Sequence, residues 1–150
     1  MTIQEVKVFV EDFIKEMGFE GVAEVSCDAN NTFFVRLESP QSRFLIGKNG
    51  EVLMDFQALL NKIMRRKTTD AIFVDLDVND YKWHKNKYLK DTAHNLAYQV
   101  ALTKQPKQVD SLSPYERRVI HMELKDDPHV STESLGEEPN RYLVIKPKDI

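Results

Sequence analysis

Two groups of residues have types and spacings that could do chemistry. The first is Gly47-Lys48-Asn49-Gly50, set between the apolar pair Leu45-Ile46 and a helix-like run from Glu51. Glycines lack a Cβ and let a ligand approach the backbone closely. The N–H groups that open a helix carry partial positive charge and favour anions. Lys48 adds a mobile cation, and Asn49 can donate hydrogen bonds. Such a joint could clamp a sugar-phosphate backbone, with Ile46 as an apolar floor and Arg43 nearby for unstacked bases. Alone, a Gly-x-x-Gly string is most often an ordinary turn, so its context decides.

The second group is Arg117, His121 and Lys125. Their spacing puts them on one face of a helix, with Ile120 and Leu124 turned elsewhere toward a core. An arginine and a histidine one turn apart can hold a phosphate and hydrogen-bond or stack on a base. The plainer reading is a salt-bridged helix face, with Arg117 paired to Glu116 or another acid and His121 structural. Lys82, Trp83, His84, Lys85, Lys87 and Tyr88 interleave cations with aromatics, which suits either nucleic-acid stacking or an anchored, solvated helix start. Arg65-Arg66-Lys67 reads as a solvated helix end, with phosphate contact as the lesser alternative. Arg141 could join Arg117 or pair with Glu137 or Glu138.

The elements that must position these groups follow from periodicity. Residues 3–17 place Ile3, Val6, Phe9 or Val10, Phe13, Ile14 and Met17 on one helical face, closed by Gly18. "GVAEVSCD" and "NNTFFVRLES" alternate around the turn-forming Asp28-Ala29-Asn30-Asn31 and predict a hairpin. A short helix over 41–46 leads into the glycine loop. Val52, Phe56, Leu59 with Leu60, and Ile63 then predict a strong helix, and "AIFVDLDV" a strand. A long helix over about 80–104 carries Leu89, Ala93, Leu96, Ala97 and Val100, and Pro106 closes it. Ser113-Pro114-Tyr115-Glu116 starts another helix, with Ser113 as N-cap, Pro114 in the first turn and Glu116 completing a capping box. "HVSTESL" and "RYLVIKP" predict two strands around "GEEPN". The fold class is α+β, with domains at 1–79 and 80–150 and no Gly/Ser linker between them.

The 150 residues carry a net charge of −3, which does not by itself invite a polyanion. The charge is unevenly placed: residues 31–67 carry +4 and residues 81–108 carry +5, between segments of −5 (1–30), −4 (68–80) and −3 (109–150). Local field decides whether phosphate is attracted. The single cysteine, Cys27, cannot form an intrachain disulfide and suits a reducing compartment. No signal peptide or membrane-spanning run is legible, so the expected location is cytoplasmic.

In that setting the chain resembles two families of module. Leu45-Ile46-Gly47, the glycine loop and the α-β-β-α-α-β order resemble a prokaryotic-type KH domain, which binds single-stranded nucleic acid across this loop. "SPYERRVIH" with "DDPHVSTESLGEEPNRYLVIKP" resembles the Arg-x-x-x-His (R-3-H) domain, a small single-stranded nucleic-acid-binding module. The order of the two is similar to the bacterial Jag family (SpoIIIJ-associated, KhpB-like), over nearly the whole chain. The resemblance implies RNA contacts at Arg43, Ile46, Gly47, Lys48, Asn49 and Gly50, and at Arg117, Arg118, His121 and Arg141 in the second domain. It also implies post-transcriptional regulation affecting cell envelope, elongation or sporulation, with a small KH-only protein as partner. Members commonly carry a further N-terminal domain and a charged linker. This chain starts near the KH helix, as a short member or an excised fragment would, so functions of that domain do not carry over.

No enzyme is indicated. His84, His94, His121 and His129 show no metal-ligand spacing with Cys27, there is no nucleophile elbow or Walker loop, and no cofactor is expected. A nuclease centred on His121 would need a second acid or base that the sequence does not supply. A protein-interaction scaffold using the acidic first helix and C-terminal strands is the alternative to RNA binding.

Overall fold

A computed structural model describes residues 1–149 and shows an α+β chain. It forms two compact units, Met1–Lys82 and Trp83–Ile150.

The first unit runs α1 (Ile3–Glu16), β1 (Val22–Cys27), β2 (Thr32–Glu38), α2 (Ser42–Ile46), one 3₁₀ turn (Lys48–Gly50), α3 (Glu51–Lys67) and β3 (Phe73–Val78). This is the α-β-β-α-α-β order. Thr2 caps α1 in a capping box with Glu5. At the other end Gly18, at φ 89°, lets its own N–H reach Lys15 O and that of Phe19 reach Ile14 O, a Schellman closure. Asp28 Oδ1 accepts from the N–H groups of Asn30 and Thr32 and fixes the β1–β2 turn. The sheet order is β1-β2-β3, antiparallel then parallel. Val6, Val10 and Ile14 of α1 share a core with Val35, Leu37, Val74 and Leu76. The buried stripe of α3 is Leu53, Phe56, Leu60 and Met64, while Leu59 is exposed and Ile63 is half-buried. That stripe lies about one position round from the expected one.

Helix side chains seal parts of both sheet edges. On β3, the buried Asn61 accepts from Val74 N–H (2.8 Å) and donates to Val74 O (2.9 Å), while Gln57 Oε1 accepts from Leu76 N–H (3.0 Å). On β1, Lys7 Nζ donates to Ala23 O (2.7 Å) and Glu11 accepts from Ala23 N–H (2.9 Å). These side chains occupy ladder positions that another strand would otherwise use. Hydrogen bonds from Lys7 and then from Ala23 N–H hold the Glu11 carboxyl below the usual carboxylate range. A depressed folded-state pKa stabilises the fold above the unfolded value and is lost as pH falls through the folded value. Glu11→Gln should therefore melt roughly 2–4 °C below wild type at neutral pH, for a part-exposed pair worth about 0.5 kcal/mol. The gap should close below about pH 4. Paired melts across that range check it, and a constant gap would contradict it.

The chain continues with α4 (Tyr81–Thr103), whose first two residues belong to the first unit, and the second unit adds β4 (Lys107–Val109), α5 (Pro114–Leu124), β5 (Val130–Leu135) and β6 (Tyr142–Pro147). Its sheet is ordered β4-β6-β5 and wholly antiparallel. Strand β4 was not expected; three residues pair with β6 at Val109↔Leu143. Leu89, Ala93, Ala97 and Val100 of α4 meet Ile120, Leu124, Leu143 and Ile145 in the core. Ser113 caps α5 by accepting from Glu116 N–H at 3.1 Å. The Glu116 carboxylate does not close the expected box. It pairs with Lys85 at 3.0 Å and ties the start of α5 to α4. No helix among the described residues is long and apolar enough to cross a membrane.

Candidate nucleic-acid interface

The glycine loop is built by backbone conformations that few residues tolerate. Gly47 sits at φ 71°, ψ −174°, a region essentially reserved for glycine. A Cβ there would lie 2.3 Å from Val52 Cγ2. Gly50 is left-handed at φ 78°, ψ 12°, and a Cβ would meet the Tyr81 ring at 2.8 Å. Asn49 is left-handed as well, at φ 55°, which asparagine tolerates better than most residues. Three of the four loop residues thus have conformational reasons to be present. Lys48 has none: its φ is negative, its side chain is exposed, and it has no ion-pair partner among the described residues.

The surroundings suit an anion. Gly47 N–H closes α2 on Arg43 O at 3.1 Å, and Gly50 N–H reaches Gly47 O at 3.4 Å. The 17-residue α3 then starts at Glu51 with no side-chain cap. Lys48 and Asn49 stand exposed at that positive end, and Arg43 is exposed one loop away. Ile46 is half-buried and packs against the first unit's core, as Val52 does. Glu51, exposed in the first turn, is the opposing charge. Phe44, 66% exposed, is an aromatic beside the loop that the sequence reading did not single out.

On α5 the expected grouping is corrected. Arg117 is 6% exposed and shares the buried side of the helix with Ile120 and Leu124. Its Nη1 donates to Leu112 O (2.7 Å) and Arg141 O (3.4 Å), and its Nη2 binds Glu138. Arg117 therefore does not share a solvent face with His121 and Lys125. A guanidinium is too costly to bury without partners, and Glu138 with two carbonyls supplies them. The exposed face carries Arg118, His121 and Lys125. His121 Nδ1 and Thr132 Oγ1 on β5 share a hydrogen bond at 2.5 Å, which orients the ring and leaves Nε2 without a partner among the described residues. Arg141 joins Arg117 through its backbone carbonyl alone. Its side chain donates to Ser134 Oγ at 2.8 Å and pairs with neither Glu137 nor Glu138. Thr132 and Ser134 were missed because cross-strand partners have no local sequence signal.

The fold and these two surfaces define a two-module α+β chain with exposed cations at a glycine loop and on one helix. A family model for the R-3-H domain matches residues 87–147. The chain is 34% identical over 151 residues to the "RNA-binding protein KhpB" of Clostridium symbiosum, covering 98% of this chain and 67% of that protein. It is 30% identical over 142 residues to the protein of that name in Streptococcus pneumoniae, covering 94% of this chain and 43% of the relative. With the Bacillus subtilis protein it shares 27% over 148 residues, covering 97% of this chain and 71% of that protein. The chain belongs to the KhpB family. It spans less than half the length of the pneumococcal relative.

Proposed function

We propose that this chain binds single-stranded RNA without cleaving it, as a post-transcriptional regulator in the cytoplasm acting on cell envelope, elongation or sporulation. Lys48 carries the reading: it is the loop residue that backbone geometry leaves unexplained, exposed at an uncapped helix start. Relatives named as RNA-binding proteins support it. The first contact is the backbone of Gly47–Gly50 with Lys48 and Asn49. The second is the Arg118–His121 face of α5, with Arg117 and Arg141 holding the unit's shape rather than touching the strand. Each contact alone is weak, and their covalent linkage raises effective concentration where one strand reaches both. A small KH-only protein is the partner that the family resemblance suggests.

Fluorescence anisotropy with a labelled single-stranded RNA at two salt concentrations tests this. Lys48→Asp with Asn49→Asp should weaken binding about tenfold or more through lost and repelled phosphate contacts, and flatten the salt dependence. Arg118→Ala with His121→Ala should weaken it several-fold without unfolding. A DNA strand of the same sequence measures the preference for RNA. Wild type that fails to bind at low salt would end the RNA reading and favour a protein scaffold. RNA cleavage lost with His121→Ala would replace binding with nuclease activity.

A further inference from the structure

Helix α4 carries a solvent stripe that neither contact uses. Trp83, Lys87, Lys90, His94 and Tyr98 fall at i, i+4, i+7, i+11 and i+15, and all five are exposed. This stripe flanks the buried Leu89, Ala93, Ala97 and Val100, about a quarter turn round the helix from them. Trp83 is 59% exposed and Tyr98 69%, although large aromatics are usually well covered. Lys87 Nζ sits 5.6 Å from the centroid of the Trp83 ring, and the ring meets His84 edge-on at 5.0 Å. Neither Lys87 nor Lys90 has an ion-pair partner among the described residues. The nearby acids are Asp91, exposed on the stripe's flank, and Glu123, which is taken up by His94 at 2.9 Å.

Resting on the RNA-binding reading, we infer that this stripe is a third contact, on which unpaired bases stack on Trp83 and Tyr98 while Lys87 and Lys90 meet the phosphates between them. An aromatic at each end with cations between matches a strand that alternates flat bases with negative charge. The span from Trp83 to Tyr98 is ~22 Å at the helical rise per residue, long enough for several nucleotides. Residues 81–108 carry +5, the largest positive charge of any segment. A second copy of the chain fits less well, because a symmetric seam would set the two lysines of one copy against those of the other.

Trp83 is the sole tryptophan, so its emission reports this surface directly. The test titrates the full chain with a short single-stranded RNA while reading Trp83 fluorescence, alongside anisotropy of the same RNA. Binding should change Trp83 emission saturably. Trp83→Ala should weaken binding roughly tenfold, as loss of one stacked base does, and Trp83→Phe should retain most of the affinity. Lys87→Ala with Lys90→Ala should reduce the salt slope by about one to two. The Lys48→Asp, Asn49→Asp variant should still change Trp83 emission at higher RNA concentration. RNA binding that leaves Trp83 emission and the Trp83→Ala affinity unaltered overturns this inference and leaves the loop reading standing. No RNA binding at all overturns both. An emission change that follows protein concentration alone, with doubled mass in light scattering, makes the stripe a self-association seam and overturns the inference.

Discussion

Arg117→Ala should destabilise the second unit by about 3 kcal/mol, lowering its melting temperature by roughly 12–24 °C. The side chain is 7% exposed, whereas that of Glu138 is 51% exposed. Removing the arginine strips a hydrogen bond from Leu112 O, another from Arg141 O and the charge partner from Glu138. It also opens a void beside Ile120 and Leu124. These contacts tie three places together: the approach to α5, α5 itself, and the connector between β5 and β6. Lysine cannot span them, because it lacks the planar fork that serves two carbonyls and a carboxylate at once. Arg118→Ala, on the exposed face, should stay within about 0.5 kcal/mol of wild type. Circular-dichroism melts of the two variants decide the matter. An Arg117→Ala protein that melts with wild type while losing RNA would move Arg117 back to the binding face. The practical consequence is that Arg117 variants report on folding, and Arg118 with His121 makes the cleaner binding probe.

This arginine also marks where sequence reading runs out. The order of elements in the first unit follows from local signals: Thr2 and Glu5 at the start of α1, Gly18 at its end, and Asp28 in the hairpin turn. Each acts within a few residues of itself. The face of α3 was ambiguous because Val52, Leu53, Phe56, Leu59, Leu60, Ile63 and Met64 supply two overlapping apolar stripes. Contact with the sheet chooses between them, and Asn61, on the chosen side, is spent on the backbone of Val74. Strand β4 was invisible because three residues acquire strand character only by pairing with β6. Arg117 looked exposed because its acid lies 21 residues on, in a turn-rich connector. The glycine loop was legible for the opposite reason. Its signal is local and steric, written in residue types that tolerate positive φ.

Gly47→Ala is the sharpest test of that steric signal. Two costs combine at this position. The backbone lies where an L-residue is strained by about 1–3 kcal/mol, and the added methyl would sit 2.3 Å from Val52 Cγ2 and 2.8 Å from Val52 Cβ. Val52 lies in the first turn of α3, so relieving the clash means shifting the helix start or remaking the loop. The first unit should lose about 3 kcal/mol, read as a lower melting temperature, and RNA binding should fall with it. Gly47→Ala with Val52→Ala removes the nearest methyl contacts and leaves the backbone strain, so it should recover part of the stability. Lys48→Ala separates the two properties. It touches no strained backbone and should melt as wild type does while binding RNA several-fold more weakly. If Lys48→Ala instead bound RNA as well as wild type, the loop's glycines would be serving the chain's geometry alone. The clamp would then have to be sought on the exposed faces of α4 and α5.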